Sequence, residues 1–174
     1  MRSVRDAVSI RVLEPDDADR HLDGLAEVLF DCVEGGASVG YMAPFTREDA
    51  HTAMAGFFDG RRIVLAAFDG EELVGTAQLI PSPMPNQPHR GDVAKVLVRR
   101  SARGRGVAAA LMTRLEEEAL ARGITVLVLD TVTDSDAYRL YTRLGWQRVG
   151  PVPNYALMPD GAPCETTFFY KELS

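Results

Sequence analysis

The chain has 174 residues, 46% of them hydrophobic and 25% charged, a composition that suits one globular domain with a self-sufficient core. A net charge of -6 disfavours a general nucleic-acid binder, whose footprint is basic, and no run approaches the roughly 20 apolar residues of a membrane span. Cys32 and Cys164 lack Cys-x-x-Cys spacing and the three histidines are scattered, so neither a disulfide framework nor a metal site is expected, and the reducing cytoplasm is the expected compartment.

In chain order, "VSIRVLEP" alternates apolar and polar residues and reads as a first strand. "DDADRHLDGLAEVLFDCVEGG" spaces Leu22, Leu25, Val28, Leu29 and Val33 as a helix, stopped by a Gly pair. "TREDAHTAMAGFFDG" opens on the capping-box pair Thr46 and Asp49 and predicts a second helix. "RRIVLAAF", Asp69-Gly70 and "EELVGTAQLI" predict a hairpin, and the proline-rich "PSPMPNQPHRG" a loop before the strand "DVAKVLV". An i, i+4 stripe through Val107, Leu111, Leu115 and Ala119 predicts a long helix. "ITVLVLDT" is a continuous apolar run suited to a strand buried on both faces. "SDAYRLYTRLGW" reads as a short helix from an N-capping Ser135 to Gly145, and "ETTFFYKEL" as a last strand, with one more short strand possible near "QRVG". The order implies one α/β domain of the α+β type over residues 1–174: a central mixed, mostly antiparallel sheet with a parallel pair around the long helix, flanked by about four helices.

The chemistry concentrates at "SARGRGVAAALM", where arginines and glycines lead into the long helix. The first amides of a helix lack internal partners and carry the positive end of its dipole, so they hold phosphate oxygens, and glycines let the backbone approach closely. Arg99, Arg100, Arg103 and Arg105 form a local positive cluster that fits one small anionic ligand and equally a solvated turn. A Walker A loop would need Lys-Ser or Lys-Thr where Val107-Ala108 stands. Gly104, Gly106 and Ala109 satisfy G-x-G-x-x-A, with Asp130 at the end of the next strand, but an antiparallel hairpin precedes the corner where a dinucleotide fold requires βαβ repeats.

Arg103-Gly104-Arg105-Gly106-Val107-Ala108 resembles the Arg/Gln-x-x-Gly-x-Gly/Ala pattern of the GCN5-related N-acetyltransferases, and "AYRLYTRLGW" resembles their A-x-x-L-Y-x-x-x-G-F segment, with Trp146 for Phe. The resemblance covers about residues 8 to 172 and implies acetyl-CoA as cosubstrate, no metal, a small amine as acceptor, and a homodimer. It implies that residues 103 to 108 cradle the pyrophosphate, that Val96, Leu97 and Val98 offer backbone to the pantetheine arm, and that Tyr141 protonates the departing thiolate. Tyr138 is then packing or a wall of the coenzyme site. Within the family, "GGASVGYM", "KVLVRRSARGRG", "LDT" and the tail "VGPVPNYALMPDGAPCETTFFYKEL" look like a branch that inactivates a β-lactam amino-acid toxin by acetylating it. That likeness implies two carboxylates beside the acceptor, Asp92 (an Asp where the branch has Glu) and Asp130, and an acceptor lid containing Gly36, Ser38, Val39 and Tyr41.

Read alone, Asp92 is equally a strand-start carboxylate, Asp130 a turn cap, Tyr141 a core tyrosine and "GGASVGYM" an interhelical loop. In the enzyme reading, a carboxylate frees the amine of its proton, directly or through water, and strand amides near Leu97 and Val98 polarise the thioester. A regulatory acyl-CoA-binding domain without transfer activity would share the corner.

Overall fold

The computed structural model describes residues 8–174, so residues 1–7 of the expected domain lie outside the described part. Seven strands form one sheet in the order β1-β2-β3-β4-β5-β7-β6. They are β1 (Ser9–Leu13), β2 (Ile63–Asp69), β3 (Glu72–Pro81), β4 (Arg90–Val98), β5 (Val126–Val132), β6 (Gln147–Leu157) and β7 (Pro163–Glu172). The helices are α1 (Ala18–Glu34), α2 (Arg47–Gly56), α3 (Val107–Ala121) and α4 (Asp136–Arg143). Among the described residues only β4 and β5 pair in parallel, with α3 as the crossover between them.

The helices divide between the two faces of the sheet. Val107, Leu111, Leu115 and Ala119 of α3 pack with Ala77, Leu79, Val93, Leu127 and Leu129, and Tyr141 of α4 joins them. Leu22, Leu25, Val28 and Leu29 of α1 and Met54 of α2 cover Val64, Ala66, Phe68 and Leu97 on the other face. Truncating one such buried leucine to alanine costs about 2–5 kcal/mol. The fit of α3 depends on Gly75, where a Cβ would meet the Leu97 carbonyl oxygen at 3.1 Å, Val107 Cγ1 at 3.1 Å and Leu111 Cδ1 at 3.2 Å.

Local expectations hold at several ends. Thr46 accepts from the Asp49 amide at 3.0 Å while Asp49 Oδ2 accepts from the Thr46 amide at 2.9 Å, which closes the capping box of α2. The Ser135 hydroxyl accepts from the Tyr138 amide at 3.1 Å and caps α4. The hairpin turns one residue later than its sequence signal, on Gly70-Glu71, because Asp69 pairs with Glu72.

Two strands differ from their sequence reading. The short strand near "QRVG" is the start of an eleven-residue one, which runs on through Pro151 and Pro153. It is an edge strand bonded only to β7, so prolines need no ladder partner on the open side, and Asn154 (φ 53) takes up the register slip between Val152 and Ala156. The second difference concerns β5, which is not buried on both faces: Leu127 and Leu129 are buried, but Val126 and Val128 are half-buried and Asp130 is exposed. Its pairing with β4 stops at Asp92 opposite Val128, and the uncovered face belongs to the gap that follows.

Candidate active site

Beyond Asp92 the β5-facing edge of β4 has no strand partner, so alternate N–H and C=O groups of Val93 to Val98 line a gap in the sheet. The other edge stays bonded to β3, with Ala94 opposite Gln78 and Leu97 opposite Thr76. Lys95 and Val96 therefore face the single residue Ala77, a bulge, and Lys95 sits at φ 51. Bulges of this kind re-aim a side chain, often beside a site. Val93, Leu127 and Leu129 belong to the α3 core, so strand alternation puts Asp92 and Asp130 on the α1/α2 face.

Asp92 Oδ1 pairs with Arg90 Nη1 at 2.7 Å, which leaves its second oxygen uncommitted. Asp130 differs. Although the residue is exposed overall, desolvation of its carboxyl raises it above the ordinary range and the nearby Asp92 charge adds to the shift, while Lys95 opposes both. A carboxyl raised in this way takes a proton more readily than an ordinary one.

Tyr141 lies on the α3 side of the gap. It is 4% exposed, with Trp146 and Phe169 ring centroids at 5.9 and 6.3 Å. Burial, reinforced by the Asp130 charge, pushes its phenol well above the ordinary range, so it remains a proton donor throughout neutral pH. Tyr138 packs edge-on against Phe169 at 5.2 Å.

The Arg/Gly corner closes the other end of the gap. Gly106 (φ 80) is the N-cap residue of α3 and supplies no capping side chain, and Gly104 has φ 73. A Cβ at either would meet nothing within 4 Å, so the cradle is open. The first intrahelical bond joins the Ala110 amide to the Gly106 carbonyl, which leaves the amides of Val107, Ala108 and Ala109 for an anion. The four arginines are tied to the protein. Arg99 pairs with Glu72, Arg100 with Asp31 at 3.0 Å and Arg105 with Asp69 at 2.7 Å, and Arg103 Nε donates to the Val98 carbonyl at 3.1 Å. These contacts brace the corner, whose first α3 amides have no intrahelical partner. Gly106→Val is expected to weaken coenzyme A binding, measured by calorimetry, by more than about 1 kcal/mol, the scale of one charge-assisted hydrogen bond, because a β-branched residue both resists this φ and fills the cradle. Arg105→Gln should change it less. Unaltered affinity in folded Gly106→Val would remove the corner from the site.

Of the lid residues, Tyr41 reaches the gap, its ring centroid 5.7 Å from Lys95 Nζ. Gly36 (φ 89) ends α1, its amide bonded to the Val33 carbonyl. Ser38 donates to the Leu157 carbonyl at 2.8 Å and so moors the loop to β6, and Val39 packs against the α1/α2 core. Sequence reading missed Arg62, Gln78, Arg90 and Lys95. Lys95 and Gln78 were visible as lone polar residues inside the apolar strands "DVAKVLV" and "GTAQLI".

The geometry finds its counterpart among known proteins. An N-acetyltransferase from Staphylococcus aureus Mu50 is 20% identical, with a TM-score of 0.79 over 97% of this chain and 100% of that one. The ribosomal-protein-alanine N-acetyltransferase of Brucella melitensis is 24% identical, with a TM-score of 0.78 over 95% and 99%. A Salmonella typhimurium protein solved with its cofactor acetyl-CoA is 19% identical, with a TM-score of 0.77 over 97% and 95%. The model of the acetyltransferase (GNAT) family matches residues 22–146, which include the corner, the gap, Asp130 and Tyr141. With that match over most of its length, the chain belongs to the acetyltransferase (GNAT) family.

Proposed function

We propose that this protein transfers the acetyl group of acetyl-CoA to the amine of a small molecule. The observation that carries the reading is the uncapped α3 N-terminus beside the β4 edge that has no strand partner beyond Asp92 among the described residues, with Asp130 on the neighbouring β5 and Tyr141 on α4 as the candidate groups. The residues fit acetyl-CoA, which would supply an activated acyl carbon. Amides of residues 104 to 108 would hold its pyrophosphate and the open edge of β4 its extended arm. Strand amides near Leu97 and Val98 would polarise the thioester oxygen. Val98's own carbonyl is engaged by Arg103, which fixes the strand end rather than receiving the ligand.

Asp130 takes the proton that the ammonium of the acceptor must lose before its nitrogen attacks. As the C–N bond forms and the C–S bond breaks, Tyr141 donates its proton toward sulfur and recovers one from solvent. Asp92, already paired with Arg90, holds the incoming cation or a bridging water. The likeness of "GGASVGYM" and the tail segment to the tabtoxin-resistance branch supports a narrower acceptor, a β-lactam amino acid or a similar antibiotic-like amine, and hence detoxification in the cytoplasm. Thiol release from acetyl-CoA across a panel of amines tests the transfer. A protein that binds the coenzyme yet releases no thiol with any amine above background is the regulatory acyl-CoA-binding domain instead.

A further inference from the structure

The α1/α2 face of the gap contains a set of hydrogen-bond donors that the transfer chemistry does not use. Lys95 Nζ lies beneath the loop after α1, 5.7 Å from the Tyr41 ring centroid, 5.8 Å from that of Phe57, and 3.8 Å from where a Cβ on Gly40 would stand. Arg62 covers the same Phe57 ring at 4.7 Å. Its Nη1 donates to Gln78 Oε1 at 2.9 Å, and its Nε approaches the half-exposed Asp59 at 3.6 Å. A guanidinium only donates, so this contact fixes which end of the Gln78 amide is oxygen and leaves the NH2 group facing elsewhere. Gln78 is 0% exposed, and its Nε2 has no partner among the described residues.

Such a buried, unpaired donor is costly unless a ligand completes it. Ala94, opposite Gln78 in register, is small and half-buried, and Asp92 continues the same face toward Asp130. The strand spends a left-handed φ of 51 at Lys95 to bring an ammonium here rather than an apolar side chain. Lys95 and Arg62 flank the same Phe57 ring, and the acceptor oxygen of Gln78 is already taken by Arg62.

We propose that Lys95, Arg62 and Gln78 form an anion-recognition site at the α2 side of the acceptor cleft, so that the acceptor carries a carboxylate or similar oxyanion as well as its amine. The amine meets Asp130 and Asp92, and the oxyanion meets Lys95, the Gln78 NH2 group and Arg62. The electrostatics agree. Burial and the like charge of Arg62 push the Lys95 ammonium down, with Asp130 acting the other way, so an anion between the two cations relieves both. Polycations such as aminosugars and polyamines meet repulsion at this end, and a simple alkylamine leaves the buried donors unpaired. The amine end of this inference rests on the acetyltransferase reading; the anion end rests on these three side chains.

The test titrates the full-length protein, with coenzyme A bound, against α-, β- and γ-amino acids, each beside its carboxamide. The carboxamide keeps the amine and loses only the charge. The expected result is at least one free acid that binds tenfold or more tightly than its carboxamide. Lys95→Met should collapse that preference below threefold, Arg62→Gln should lower it, and Lys95→Arg should retain it. Unchanged coenzyme A affinity shows that each variant is folded. Equal binding of acids and carboxamides, binding of neither, or a preference that survives in Lys95→Met overturns the site. Thiol release on the same pairs is a separate readout. Free acids that bind selectively without releasing thiol support the anion site and sink the transferase reading.

Discussion

Tyr141→Phe is expected to lower turnover on the order of 10²-fold or more, with coenzyme affinity nearly unchanged. The substitution removes one oxygen and keeps the ring against Trp146 and Phe169, so the packing that holds α4 on the sheet survives. The coenzyme cradle lies on α3 and β4 and does not involve this hydroxyl. What is lost is a donor for the sulfur as negative charge develops there. The pH dependence has a defined sign. The folded-state phenol is raised, so its deprotonated form appears only above the ordinary phenol range, and the wild-type turnover should show no alkaline decline from Tyr141 at the usual assay pH. Rapid-mixing measurements of the acetyl-transfer step separate this effect from product release. Wild-type rates in folded Tyr141→Phe would make the residue core packing and solvent the source of the proton.

Local signals were legible where the physics is local. Gly104 and Gly106 announced a corner of close backbone approach immediately before an amphipathic stripe, and the structure adds that both take positive φ. Tyr141 and Asp130 were named through family resemblance, and the structure puts Tyr141 on α4 and Asp130 on β5. The fate of the arginines was not legible. Their partners Asp31, Asp69 and Glu72 lie far back in the chain, and nothing in "RRSARGRG" distinguishes an arginine that braces a turn from one that awaits a phosphate. The open face of β5 was hidden for a related reason. An apolar run records what could be buried, while exposure here is decided by where β4 leaves it, at Asp92. The mooring of Ser38 was not legible for the same reason, since the Leu157 carbonyl that accepts from it belongs to a strand whose prolines concealed it.

Asp130→Asn is expected to produce the second large loss, on the order of 10²-fold in kcat/KM for a competent amine at neutral pH. Asparagine is nearly isosteric but can neither take the proton nor hold the ammonium, so either KM rises, kcat falls, or both do. Coenzyme affinity should not follow, because the corner is built from other residues. The shape of the pH profile carries more information than the size of the loss. In the wild type the rate should fall with acid as Asp130 protonates, and burial places that fall above the ordinary carboxylate range. Asp92→Asn removes the neighbouring negative charge and frees Arg90 from its 2.7 Å ion pair. Both changes favour ionised Asp130, so the acid limb should move to lower pH while catalysis persists. Asp130→Asn should lose that limb altogether. Its deficit should narrow at high pH, where the amine arrives already neutral and needs no base. If Asp92 were the base, the two variants would exchange these behaviours. Profiles of wild type, Asp92→Asn and Asp130→Asn that superimpose in three folded proteins would place both carboxylates outside the chemistry and leave the amine to lose its proton to water before it enters the gap.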